Sequence, residues 1–203
     1  MKPFDRYEGA LTNNGDENRR RMPRAQLDAN TSPRCIAELM GRFEEYTRDI
    51  AKFEAEYPWA SRFVMGYPLP DWQRNLVWTP EQNVRFITSL WEEVDVGSYM
   101  VNEHFEFDSK TNTFRKFSDT LIDGQQRLTA LQSYLLSEFA VPDAEGVSCY
   151  WNELSKVERR FFSNKIFPRA TVRTWDEDLL RKAYDLRSFG GTPHKESERA
   201  SRS

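Results

Sequence analysis

The segment Leu121-Ile122-Asp123-Gly124-Gln125-Gln126-Arg127-Leu128-Thr129-Ala130-Leu131 constrains this chain more than any other stretch. Thr120-Leu121-Ile122 reads as an apolar strand that runs into an Asp-Gly turn. Behind the turn, Leu128, Leu131, Leu135 and Phe139 recur at helical spacing, and Tyr134 and Leu136 widen that face. A helix that starts directly at a strand end presents free N–H groups and a positive dipole there. Such an end is an anion site, most often for phosphate. Arg127, in the first turn, adds a fork of charged donors. Gln125 and Gln126 donate or accept without charge, so they orient a water or read a base. Asp123 holds a magnesium ion bridging phosphates or aligns a nucleophilic water. A plainer reading of the same residues stands beside this one: Asp123 caps the helix, Gly124 relaxes the turn, and the rest is solvated.

Composition limits what surrounds this segment. A length of 203 residues allows one domain with extensions. Aromatic residues at 14% argue against disorder, although 30% of the chain is charged. The net charge of −3 gives no global attraction to nucleic acid, so any such contact needs a local basic patch. Two cysteines, Cys35 and Cys149, are too few for a disulfide scaffold or a Cys-based zinc site, and both read as packing residues. No membrane span and no secretory signal is expected, which makes a cytoplasmic protein the default. The mixture of helical and strand patterns predicts an α+β or α/β domain.

Along the chain, residues 1–32 read as a flexible basic arm. Arg19, Arg20, Arg21 and Arg24 are its candidate nucleic-acid contacts, against the alternative of a solvated tail. Ser32-Pro33 reads as a capped helix start. Ile36, Leu39, Met40, Phe43, Tyr46, Ile50, Phe53 and Tyr57 then predict one helix over 33–57, ended by Pro58. Thr79-Pro80-Glu81-Gln82 opens another, with Val84, Ile87, Leu90, Trp91 and Val94 on its apolar face and Gly97 as its close. Tyr99-Met100-Val101 and Ala170-Thr171-Val172 suit strands, Ser155 caps a helix through Val157, Phe161 and Phe162, and a last helix covers 176–186. Before the second helix, Pro68-Leu69-Pro70-Asp71-Trp72-Gln73-Arg74 pairs another Gln-Arg with an aromatic in a proline-restricted loop. Arg74 either reaches the same anion from the opposite side or stacks on Trp72 or Trp78.

The loop Tyr67–Trp78 and the turn Ile122–Leu131 together resemble the DGQQR-motif family of the ParB/sulfiredoxin-like superfamily, whose best-known representatives are N-terminal domains of GmrSD-type restriction enzymes. A later stretch, Tyr184 to Glu198, is similar to the family's third motif. Gly190-Gly191 fits there, while Ser188 stands where asparagine is usual and His194 where leucine is usual. The resemblance covers about residues 66–199. It implies an α+β fold, a small mixed ParB-like sheet with packed helices, over 61–199. The helix of 33–60 is then an addition that covers an edge of the domain or mediates self-association, and 200–203 a frayed tail. It also implies binding and magnesium-dependent hydrolysis of a nucleoside triphosphate, GTP or ATP, coupled to DNA restriction or phage–host conflict. Carried over by position, Asp123, Gln126 and Arg127 are catalytic, with magnesium at Asp123. Gln73, Arg74, Gly124, Gln125, Gly190 and Gly191 bind the nucleotide.

The sequence departs from the family's longer chains. They continue into a helical region and an HNH nuclease domain, whereas this one ends soon after the third motif. His104 and His194 offer no clustered HNH centre, so a self-contained HNH nuclease is not expected. Two further readings stay open. One is a DNA-binding or regulatory module acting with a protein partner that supplies the effector domain. The other is a ParB-type nicking nuclease, which rests on superfamily analogy alone.

Overall fold

Strand pairing explains where the helices lie. A computed structural model describes residues 22–188. Its elements begin with β1 (Asn30–Ser32), α1 (Ile36–Arg48), α2 (Ile50–Glu56), β2 (Phe63–Val64), β3 (Tyr67–Pro68), α3 (Pro80–Trp91) and β4 (Tyr99–Asn102). They continue with β5 (Phe107–Asp108), β6 (Thr113–Phe114), β7 (Thr120–Asp123), α4 (Gln125–Leu135), β8 (Val141–Pro142) and β9 (Ser148–Cys149). A 3-10 turn (Trp151–Glu153), α5 (Lys156–Ser163), β10 (Arg169–Val172) and α6 (Glu177–Ser188) complete the described chain. The main sheet runs β1-β10-β4-β7, with β10 parallel to β4 and the other two pairings antiparallel. The fold is α+β, as expected.

The period-two alternation of strand side chains sorts the core into two layers. Tyr99, Val101 and Leu121 join Ile36, Phe43, Leu90, Leu128 and Leu131 on one face. Met100, Ile122, Ala170 and Val172 join Leu180 and Tyr184 of α6 on the other. Covered on both faces, β4 and β7 are almost wholly buried. The one polar side chain inside β4, Asn102, is satisfied: its amide donates to Phe117 O and Thr174 O and its oxygen accepts from Thr174 N.

Several boundaries differ from the sequence reading. The single helix of 33–57 is two helices. Asp49 leaves helical geometry at φ −151°, and its carboxylate accepts from Lys52 N at 3.1 Å, capping α2. A short acidic side chain can satisfy a backbone amide locally, so it competes with helix continuation. The start shifts as well. Ser32 ends β1 rather than capping a helix, because Phe167 N donates to Arg34 O and Ile36 N to Lys165 O. Residues 30–32, assigned to the arm, therefore belong to the sheet. The helix read as an addition contributes Ile36, Leu39 and Phe43 to the principal core. Its Arg42 is locked to the turn before β7 by a 2.5 Å pair with Asp119.

The cap of α3 matches its sequence signature: Thr79 and Gln82 form a reciprocal capping box. The helix stops at Trp91 and not near Gly97. Glu93 adopts φ 58°, and Val94 is left exposed. On α5, Ser155 caps as expected, but Phe162 is the buried residue while Val157 and Phe161 face solvent. No helix among the described residues is long and apolar enough to cross a membrane.

Candidate functional site

The cleft of interest opens where β7 passes into α4. Gly124 makes the passage at φ 105°, a conformation open to glycine and strained for L side chains. Its missing Cβ also matters, since a methyl group built there would lie 2.7 Å from Tyr99 Cβ. Gly124 occupies the N-cap position, and no side chain caps α4. The first helical bond runs from Leu128 N to Gly124 O, so the amides of Gln125, Gln126 and Arg127 have no acceptor among the described residues. The expectation that Asp123 caps the helix is not met. Its carboxylate turns instead to two guanidiniums, accepting on Oδ2 from Arg127 Nη2 at 3.1 Å and from Arg187 Nε at 2.9 Å.

Around that helix end lies a cleft of about 190 Å³, lined in part by Arg74, Trp78, Gln125, Arg127, Tyr184 and Arg187. Three guanidiniums face one carboxylate, so the cleft is electropositive. Arg127 is the most constrained of the three. It donates to Val96 O at 3.0 Å and Ser98 O at 3.1 Å as well as to Asp123. Burial pushes its pKa below the ordinary arginine value, Asp123 pulls it back up, and Arg187 opposes Asp123. The early end of α3 serves this contact, because the loop that follows it supplies both carbonyls. Arg187 also donates to Ser98 O and, at 3.3 Å, to Ser98 Oγ.

Two lining groups have nothing to hold. Arg74 is exposed and makes no ion pair or hydrogen bond among the described residues. Gln125 is 8% exposed, and its side-chain amide is likewise without a partner. Its polar atoms are not sealed from solvent, so the amide is open to whatever enters the electropositive cleft at this uncapped helix start, an anion or a water.

The other expected site residues have different places. The side-chain amide of Gln73 donates to Leu121 O at 2.6 Å and Ile122 O at 3.1 Å, so it ties its loop to β7 behind the cleft. Gln126 reaches the cleft wall, but its polar atoms are committed. Its Oε1 accepts from Val77 N and Trp78 N, and its Nε2 donates to Asn75 O. It is a strut for the 75–78 loop. Replacing it with alanine should cost about 1–3 kcal/mol of stability. The Val77 and Trp78 amides should then exchange with solvent far faster, which hydrogen-exchange NMR would read. Unchanged protection would show that the loop is held by other means. Arg24 is exposed and does not line the cleft, while Arg19, Arg20, Arg21, Gly190 and Gly191 lie outside the described residues.

Arg187 was missed by sequence reasoning. Its only signal is position: a basic residue in the last turn of the final helix, three residues after Tyr184 and just before the Gly-Gly pair.

Comparison with known proteins fits this geometry. The family described as the GmrSD restriction endonuclease, N-terminal domain matches residues 60–200. An uncharacterized protein of Methanocaldococcus jannaschii is 29% identical over 114 residues. The match covers 49% of this chain, and it spans one fifth (20%) of that relative's length. No solved structure matches significantly. With the loop of Gln73 and Arg74, the Asp-Gly turn and the uncapped start of α4 all inside the matched region, the chain belongs to the GmrSD N-terminal domain family.

Proposed function

We propose that the cleft at the start of α4 binds the phosphates of a nucleoside triphosphate, GTP or ATP, and promotes hydrolysis of the terminal phosphate by water. The observation that carries this reading is the set of unpartnered donors converging there: three helix-start amides, the Gln125 amide and the Arg74 guanidinium. Arg127 and Arg187, already fixed, would stabilise charge that develops on the transferring phosphoryl group without reorganising. Gln125, with its side chain uncommitted, is better placed than Gln126 to orient the attacking water.

Magnesium fits this site only as an ion brought by the nucleotide. Among the described residues Asp123 is the one carboxylate lining the cleft, and one of its oxygens is taken by two guanidiniums. No group of three or more His, Cys, Asp or Glu among the described residues could hold a metal. Magnesium commonly binds through one or two carboxylates plus substrate phosphates and waters, which suits the free Asp123 Oδ1. Family membership supports a link to DNA restriction, with a partner domain supplying the nuclease.

The test is thermal and kinetic. GTP or ATP at about 100 times its Kd should add about 2.7 kcal/mol of stability, which for a chain of this size raises Tm by roughly 5–10 °C. Phosphate release should follow with magnesium present. Arg74→Ala should weaken nucleotide binding by about 10- to 100-fold, the worth of a charge-assisted hydrogen bond, while Tm without ligand stays unchanged. No shift with either nucleotide or with tripolyphosphate would sink the proposal.

A further inference from the structure

The phosphate cleft is too small for the whole of its ligand. Small-molecule sites usually span about 300–1,000 Å³. Here about 190 Å³ surrounds the start of α4, and charged or amide groups dominate its wall. A nucleoside triphosphate with its phosphates inside must leave its ribose and base at the mouth. Arg74 and Trp78 both line the cleft; Asn75, Leu76 and Val77, between them in the chain, are exposed and do not line its wall, so this loop is a lip by virtue of its two ends.

That lip is unusual in chemistry and in rigidity. Leu76 is 53% exposed and Val77 is 59% exposed, adjacent apolar side chains on a proline-led loop. Single exposed apolar residues are ordinary. These two are presented by a backbone that is held in place. Gln126 bonds the main chain at residues 75, 77 and 78, Gln73 fastens the loop root to β7, and Arg62 donates to Gln73 O at 2.9 Å. A fixed apolar lip beside a positive cleft matches a ligand with an anionic end and a flat, weakly polar end.

We infer that Leu76 and Val77 form the base-side subsite, packing against the ribose and base of a nucleotide whose phosphates occupy the α4 cleft. The inference rests on the phosphate reading above and adds the part of the ligand that lies outside the cleft. Burial of the lip on binding contributes affinity for the nucleoside and none for the polyphosphate. A bare polyphosphate and a nucleotide therefore separate the two ends of the site.

The experiment is calorimetric titration of the full chain with GTP, ATP and inorganic tripolyphosphate, each with and without magnesium. It compares wild type with Leu76→Asp/Val77→Asp and with the milder Leu76→Ala/Val77→Ala, and records the Tm of each unliganded variant. The Asp pair should weaken nucleotide binding by about tenfold or more, equivalent to about 1.4 kcal/mol. Tripolyphosphate affinity should fall much less, by no more than the added negative charge accounts for. The Ala pair carries no charge, so it should weaken nucleotide alone. Equal weakening of both ligands by the Ala pair would overturn the inference, because the lip would then act by shaping the cleft. Nucleotide binding unchanged in both variants would overturn it too, and would leave the phosphate reading intact. If tripolyphosphate fails to bind the wild type, the phosphate reading falls first and this one with it.

Discussion

Gly124→Ala should destabilise the protein by about 2–6 kcal/mol, a large share of the roughly 5–15 kcal/mol that holds a typical domain together. Two costs add. The first is conformational: at φ 105° an L side chain is strained by about 1–3 kcal/mol. The second is steric. The new methyl would meet Tyr99 Cβ at 2.7 Å and Tyr99 Cα at 3.2 Å. Tyr99 is 1% exposed on β4, which is paired on both sides by β10 and β7, so it cannot step back without opening the sheet. Forced overpacking of this kind costs about 1–3 kcal/mol more. Gly146→Ala is the internal control. It has φ 82° and open space around the added methyl, so it carries the conformational cost alone. Denaturant melts of the two variants separate the terms, and equal losses would show that the contact with Tyr99 is relieved cheaply. Nucleotide binding should be lost in Gly124→Ala beyond what instability explains, because the helix-start amides would be re-aimed.

Arg127→Ala should abolish nucleotide turnover and lower stability by about 3 kcal/mol. Removing one partner of a buried pair strands the other, typically at 3–5 kcal/mol. Here Arg187 still holds Asp123 and Ser98 O, so the low end applies, with Val96 O losing its donor. Arg127→Lys is the informative companion. A lysine keeps the charge, but its compact ammonium lacks the planar fork that spans two carbonyls and a carboxylate. It should recover part of the stability and little of the turnover. Full recovery of phosphate release by lysine would show that only charge is needed at this position.

Much of the architecture was legible in the residues. Leu121 and Ile122 before Asp-Gly announce β7 and its turn, and the leucine spacing announces α4. Thr79-Pro80 and Ser155 announce two further helix starts, each confirmed by a side-chain cap. These signals are local, since capping, turn chemistry and periodicity depend on residues a few positions apart. The misreadings are equally instructive. Asp49 has the composition of a solvated helical residue, and only its φ shows that it caps a new helix. Ser32 looked like a cap because its actual partner, Arg169 in β10, lies far along the chain.

The same division runs through the site. By itself the sequence determined that a helix would start behind the Asp123-Gly124 turn, with Arg127 in its first turn and a second arginine, Arg74, in a constrained loop. Those properties follow from backbone chemistry at adjacent positions. Only the tertiary structure decided which polar side chains remain available. It spends Gln73 and Gln126 on main-chain groups 48 to 51 positions away, leaves Gln125 and Arg74 unpartnered, and brings Arg187 of α6 onto Asp123 across 64 residues. A side-chain amide satisfies whatever backbone group the fold places beside it. Whether it braces the loop or meets a ligand is therefore set by packing, which adjacent residues do not encode.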